Sequence, residues 1–114
     1  MLLIVLVEHV PVEIPVRMNR NAAIAILRQH ADALRARGVR HAALFGSVAR
    51  GDNRADSDID ILVEFDPSAR VTIFDYVGLK NFIAGLFEEP VDVVDRDALK
   101  PHLRRSVQGA VYAF

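Results

Sequence analysis

From Asp58 to Phe65 the chain alternates, with Ile59, Ile61, Val63 and Phe65 at every second position. A period of two is the signature of a β-strand with one face buried, because successive side chains leave opposite sides of the pleat. Pro67 and Ser68 end the run. The chain must therefore build a sheet and cover one face of it. With 114 residues it has the length for one domain and one core. It contains no cysteine, so a disulfide framework, a thiolate nucleophile and a Cys-ligated zinc site are all excluded.

The rest of the chain supplies the cover. Residues 20–37 are predicted as one amphipathic helix, with Ile24, Leu27, Ala31 and Leu34 on one stripe, Asn19 or Asn21 as the cap and Gly38 after its end. Arg40–Phe45 is predicted as a short strand, and Ser47–Ala55 as a polar loop with room for one helical turn. Thr72–Phe87 is predicted as a second helix, with Thr72 and Asp75 at capping-box spacing. Pro90–Asp95 is a third short strand. Asp97 is placed to cap a last helix carrying Leu99, Leu103, Val107 and Val111, with Pro101 in its first turn. The expected order is α-β-β-α-β-α, an α/β or α+β domain with a small mixed sheet flanked by helices.

Two carboxylates stand on the polar face of the alternating strand. Asp58 and Asp60 are two apart, so both leave the face opposite Ile59 and Ile61. Like charges side by side repel and aspartate is depleted in strands, so either the pair is a solvated accident or a hard cation such as Mg²⁺ sits between them. Gly46-Ser47 follows a strand end. It is either an ordinary turn or a backbone site for a phosphate. Arg50-Gly51 adds a phosphate clamp or a solvated loop arginine. Asp92, inside the apolar Val91-Asp92-Val93-Val94, is either a third metal carboxylate or an edge-strand partner for an arginine.

Other acidic and glycine motifs fail on position. An EF-hand opening at Asp56 needs glycine sixth and glutamate twelfth, where Ile61 and Pro67 stand. Gly46 to Gly51 lacks the Gly-Lys-Ser/Thr of a P-loop and the spacing of a dinucleotide fingerprint.

Taken together, Gly46-Ser47, Arg50-Gly51 and Ser57-Asp58-Ile59-Asp60 resemble the signature of the polymerase-β-like nucleotidyltransferase superfamily, and most of all its minimal nucleotidyltransferase (MNT) group. The likeness runs from about Arg20 to the C-terminus, which makes 18–114 the expected nucleotidyltransferase domain. The resemblance implies that Gly46 and Ser47 hold the triphosphate of ATP, with Arg50 beside them. It implies that Asp58 and Asp60 ligate Mg²⁺, with Asp92 as third carboxylate. The implied reaction is transfer of a nucleoside monophosphate to a hydroxyl with loss of pyrophosphate. Minimal members typically act as antitoxins against HEPN ribonuclease toxins, several by attaching AMP to a toxin tyrosine. The resemblance thus implies a protein adenylyltransferase. A non-catalytic antitoxin that acts by binding, and an enzyme acting on a small molecule or an RNA end, are the alternatives.

Composition bears on the partner. Net charge is −1, so no global basic field favours nucleic acid as main partner. The longest strongly apolar run, Met1 to Val7, is far short of the roughly 20 residues of a membrane helix, and a cytoplasmic protein is expected. Residues 1–17 have no counterpart in the minimal pattern. They are expected to be an extended arm or edge strand, a partner-binding strand, or an upstream start ahead of Met18. Phe74, Tyr76, Phe82, Leu86 and Phe87 are more apolar surface than one buried helix face requires. They are either core or a patch covered by a partner or a second copy of the chain.

Overall fold

The structure, a computed structural model, describes residues 18–102 and 107–114. The expected N-terminal arm, residues 1–17, lies outside them, as does Leu103. The elements are α1 (Arg20–Gln29), α2 (Ala31–Ala36), β1 (Val39–Phe45), α3 (Gly46–Arg50), β2 (Ile59–Phe65), α4 (Ile73–Ala84), β3 (Val91–Asp95), a single 3₁₀ turn at Arg96–Ala98 and β4 (Val111–Tyr112). The four strands form one mixed sheet in the order β3-β2-β1-β4. β1 runs antiparallel to β2 and β4, whereas β2 and β3 are parallel and need α4 as their crossover.

The expected single helix over 20–37 is two. His30 sits between them at φ −109° and ψ 17°, outside helical geometry. Its Nδ1–H donates to the Ile26 carbonyl at 3.0 Å, and its backbone N–H turns to Leu27 O at 3.2 Å. A side chain that takes up the i−4 carbonyl competes with the helical ladder there and bends the axis. The apolar stripe survives the bend, since Ala23, Ile24, Leu27 and Leu34 are all buried. Asn19 provides the cap, accepting from the Ala22 N–H at 2.8 Å.

α4 begins as its sequence predicts. The Asp75 N–H donates to Thr72 Oγ1 at 3.1 Å, and the Thr72 N–H donates to Asp75 Oδ2 at 3.0 Å. Leu79 and Ile83 are fully buried against the sheet. Truncating either to alanine would cost about 2–5 kcal/mol. Ile73, Phe74 and Val77 are exposed, by 68%, 85% and 49%. Phe87 is buried, and Phe82 and Leu86 are half-buried, so the apolar excess divides between core and surface.

The expected last helix does not form over the described residues. Asp95, not Asp97, caps the chain there, accepting from the Asp97 N–H at 3.0 Å, and a 3₁₀ turn follows in place of an α-helical one. Pro101 disfavours helical geometry at the preceding residue and removes a donor. Val111 and Tyr112 instead pair with Leu44 and Ala43, covering part of the β1 edge. The two faces of the sheet are therefore covered differently. Helices α1, α2 and α4 pack on Ala42, Leu44, Ile59, Ile61 and Val63, while Ala43, Phe45 and Leu62 on the other face meet Val94, Leu99, Val107 and Ala110.

Candidate active site

The site corner is where β1 ends and β2 begins. Phe45 is the register partner of Asp60, and Asp60 is in turn level with Asp92 on the parallel strand β3. Gly46, next after Phe45, has φ +73°, a conformation costly to any residue with a Cβ. Space requires glycine as well. A Cβ at Gly46 would overlap the Asp60 carboxylate and stand 3.1 Å from its Cγ. The turn and the carboxylate are thus packed directly on each other.

Gly46 also opens α3, so the loop expected at Ser47–Ala55 begins as one short helix. The Phe45 side chain makes no cap hydrogen bond to it. Ser47 is half-buried in its first turn, and Arg50 closes it, exposed. Arg50 Nε donates to Asp52 Oδ2 at 3.2 Å. The C-terminal end of α3 is held from a distance: Arg20 of α1 donates to the Ala49 carbonyl at 3.1 Å. No local pattern announces that brace, because its partners lie 29 positions apart.

Asp58 is not on the strand. The β2 ladder starts at Ile59, whose N–H donates to Pro90 O at 2.9 Å. The segment before it is a turn in which Ser57 Oγ accepts the Arg54 N–H at 2.8 Å. Asp58 is exposed, and the pleat does not set its direction as it does for Asp60.

Electrostatics nevertheless couples these groups. Asp60 holds its proton more tightly than an ordinary carboxyl, first through burial, then through the negative charges of Asp92 and Asp58; Arg50 opposes this. Three carboxylates and one arginine therefore act on one corner of the fold. Among the described residues no three acidic or histidine side chains are gathered closely enough to form a metal cage. The donors suit a hard divalent cation in kind, all being carboxylate oxygens. The strain that Asp92 and Asp58 impose on ionised Asp60 is also the strain a cation relieves. Asp58 and Asp60 fit as a pair, with Asp92 adjacent.

On the same face of the sheet, beyond Asp60, Leu62 opens a groove that runs between Leu99, Val107, Ala110 and Tyr112, with Arg96 and Asp97 at its side. Among the described residues no helix is long and apolar enough to cross a membrane.

Known proteins match this chain over most of its length. A family model described as a nucleotidyltransferase domain matches residues 27–111. The protein adenylyltransferase MntA of Thermococcus cleftensis is 36% identical over 84 residues, which is 73% of this chain and 83% of that one. The solved structure of a chain assigned to the minimal nucleotidyltransferases superposes with a TM-score of 0.61 at 35% identity, covering 82% of this chain and 95% of that one. The MNT antitoxin solved in complex with a tri-AMPylated HEPN toxin of Shewanella oneidensis shares the fold at a TM-score of 0.58, with 20% identity over 81% of this chain and 71% of that one. The family match over most of the chain and the identity to these relatives lead to one conclusion: this chain belongs to the nucleotidyltransferase domain family, among its minimal members.

Proposed function

We propose that the chain is the antitoxin of a HEPN/MNT pair and a protein adenylyltransferase, moving AMP from ATP to a tyrosine hydroxyl of its HEPN partner. The observation that carries this reading is the contact between Gly46 and Asp60. It puts the backbone that would face a triphosphate against a carboxylate that would hold Mg²⁺. In the reaction the tyrosine hydroxyl gives its proton to a site carboxylate, its oxygen bonds to the α-phosphorus, the bond from that phosphorus to the α–β bridging oxygen breaks, and pyrophosphate leaves with the electron pair. Mg²⁺, held by Asp58 and Asp60 with Asp92 beside them, would supply neutralisation of the triphosphate charge when bound. The chain's own part is positioning. Gly46 and Ser47 offer N–H groups at the head of α3, Arg50 offers a guanidinium, and Arg20 braces the turn. A relative named as a protein adenylyltransferase and a fold neighbour solved with an AMPylated toxin support the same reading.

The test is incubation of the full chain with Mg²⁺, ATP and the HEPN protein encoded beside it, followed by intact-mass measurement. A gain of one or more AMP groups on a toxin tyrosine is expected. A toxin that is silenced with its mass unchanged sinks the proposal. The exposed Ile73, Phe74 and Val77 on α4 favour a second reading, in which contact alone silences the partner. Asp58→Ala with Asp60→Ala separates the two, since a binder keeps neutralising and an enzyme stops.

A further inference from the structure

The chain has two tyrosines, and their hydroxyls sit in different chemistry. Tyr76 is half-buried and donates to the Val93 backbone carbonyl at 3.3 Å, a group that cannot serve as a base. Tyr112, on the edge strand β4, is 42% exposed, yet its hydroxyl donates to Glu64 Oε2 at 2.6 Å. That is the short distance of a hydrogen bond to an ionised acceptor. Glu64 is itself held in place: its side chain is 19% exposed and its other oxygen lies 3.4 Å from Arg96. The Tyr112 ring stands edge-on to His41, with centroids 6.0 Å apart. An accessible phenol with a carboxylate already on its proton is the arrangement a nucleophilic hydroxyl needs.

A seat for the transferred group adjoins it. The groove beside Tyr112 is lined by Leu62, Leu99, Val107 and Ala110, with Arg96 at its side. The apolar side chains suit the flat face of an adenine, Asp97 and Gln108 add polar groups for its edge, and a guanidinium suits a phosphodiester. Tyr112 does not reach the chain's own nucleotide corner. Its hydroxyl is bonded to Glu64, four residues along β2 from Asp60, on the order of 13 Å at the rise of a strand.

We propose that Tyr112 is an acceptor of AMP, modified by a second copy of the same chain. The inference rests on the adenylyltransferase reading above and adds a substrate to it. The Tyr112 oxygen bonds to the α-phosphorus of ATP held by the other copy. The bond from that phosphorus to the β-bridging oxygen breaks, pyrophosphate leaves with the electron pair, and the phenolic proton passes to Glu64. Hydrogen bonding to Glu64 keeps the phenol protonated beyond its ordinary range, so the proton is still present at the moment of attack and has its acceptor in place. The product loses the Tyr112–Glu64 bond and fills the groove.

The experiment uses the full chain, Mg²⁺ and ATP labelled at the α-phosphate, with peptide mass spectrometry. Label is expected on Tyr112 and lost in Tyr112→Phe. Glu64→Gln is expected to slow self-labelling about 100-fold. Both variants are expected to label the HEPN partner at the wild-type rate, which separates an acceptor defect from a folding defect. In a mixture of wild type and a tagged Asp58→Ala, Asp60→Ala copy, the tagged copy should carry the label. Absence of label from the tagged copy overturns transfer between copies. An unlabelled Tyr112 beside a labelled partner overturns this proposal alone, and an unlabelled partner overturns the adenylyltransferase reading with it.

Discussion

Gly46→Ala separates the cost of backbone geometry from the cost of displacing Asp60, the carboxylate proposed to hold the metal. At φ +73° a residue with a Cβ pays roughly 1–2 kcal/mol for the left-handed region. The new methyl group also overlaps the Asp60 carboxylate, so either the turn or Asp60 must move by a substantial fraction of an ångström. Gly51→Ala is the matched control. Gly51 has φ +80°, closes α3, and has nothing within 4 Å of where its Cβ would go. Gly51→Ala should therefore lose about 1–2 kcal/mol by urea titration, about 4–15 °C in thermal midpoint for a domain of this size, and Gly46→Ala at least as much, since the overlap adds to it. Only Gly46→Ala should lose activity steeply. A misplacement near 1 Å costs on the order of 100-fold in rate, and AMP incorporation into the partner should fall by at least about that factor. Gly51→Ala should stay within a few-fold of wild type. A Gly46→Ala protein with wild-type turnover would refute the reasoning, because the turn and carboxylate would then not be acting as one unit.

Asp60→Asn should abolish transfer, by at least about 100-fold, while raising thermal stability at neutral pH. The sign follows from Asp60 having a folded-state pKa above its ordinary value of 3.8. Between those two values the native state binds more protons than the unfolded chain, so the ionised group destabilises the fold above that window. Melting curves across pH should show the stabilisation fading as pH falls through the carboxylate range. Equal melting points at neutral pH would refute it. Arg20→Ala removes the brace on Ala49 O and should cost about 1–3 kcal/mol. Its turnover should fall more than its partner binding, measured by calorimetry without ATP, because the bond that is lost steadies α3 beside the candidate site.

Much of the fold is legible in short stretches of sequence. The alternation at Ile59, Ile61 and Val63 marks β2 and assigns its buried face, and all three residues are fully buried. Thr72 and Asp75 mark the start of α4 through a four-residue pattern whose two hydrogen bonds both form. Where the reading fails, a distant partner or a local competitor decided the outcome. His30 looks like one more helical position until its ring takes the Ile26 carbonyl. Val107 and Val111 carry helical spacing, but Val111 is recruited by the edge of β1. Asp58 looks like a strand residue because it is two before Asp60, yet the ladder begins after it, at Pro90.

The same division runs through the candidate site. Sequence alone determined its composition: a glycine-serine turn, two aspartates two apart, a third in an apolar strand, and an arginine four past the glycine. Residue types and spacings of that kind are local and survive in the string of letters. Only the tertiary structure decided their relation. β1 and β2 run antiparallel in a register that sets Phe45 opposite Asp60, and this brings Gly46 and its neighbour-by-space Asp60 into van der Waals contact across 14 positions. β2 and β3 run parallel in a register that levels Asp60 with Asp92. Side-chain period is a property of one strand, whereas register is a property of two strands and the core they share. A contact that requires glycine becomes visible only once both strands are in place.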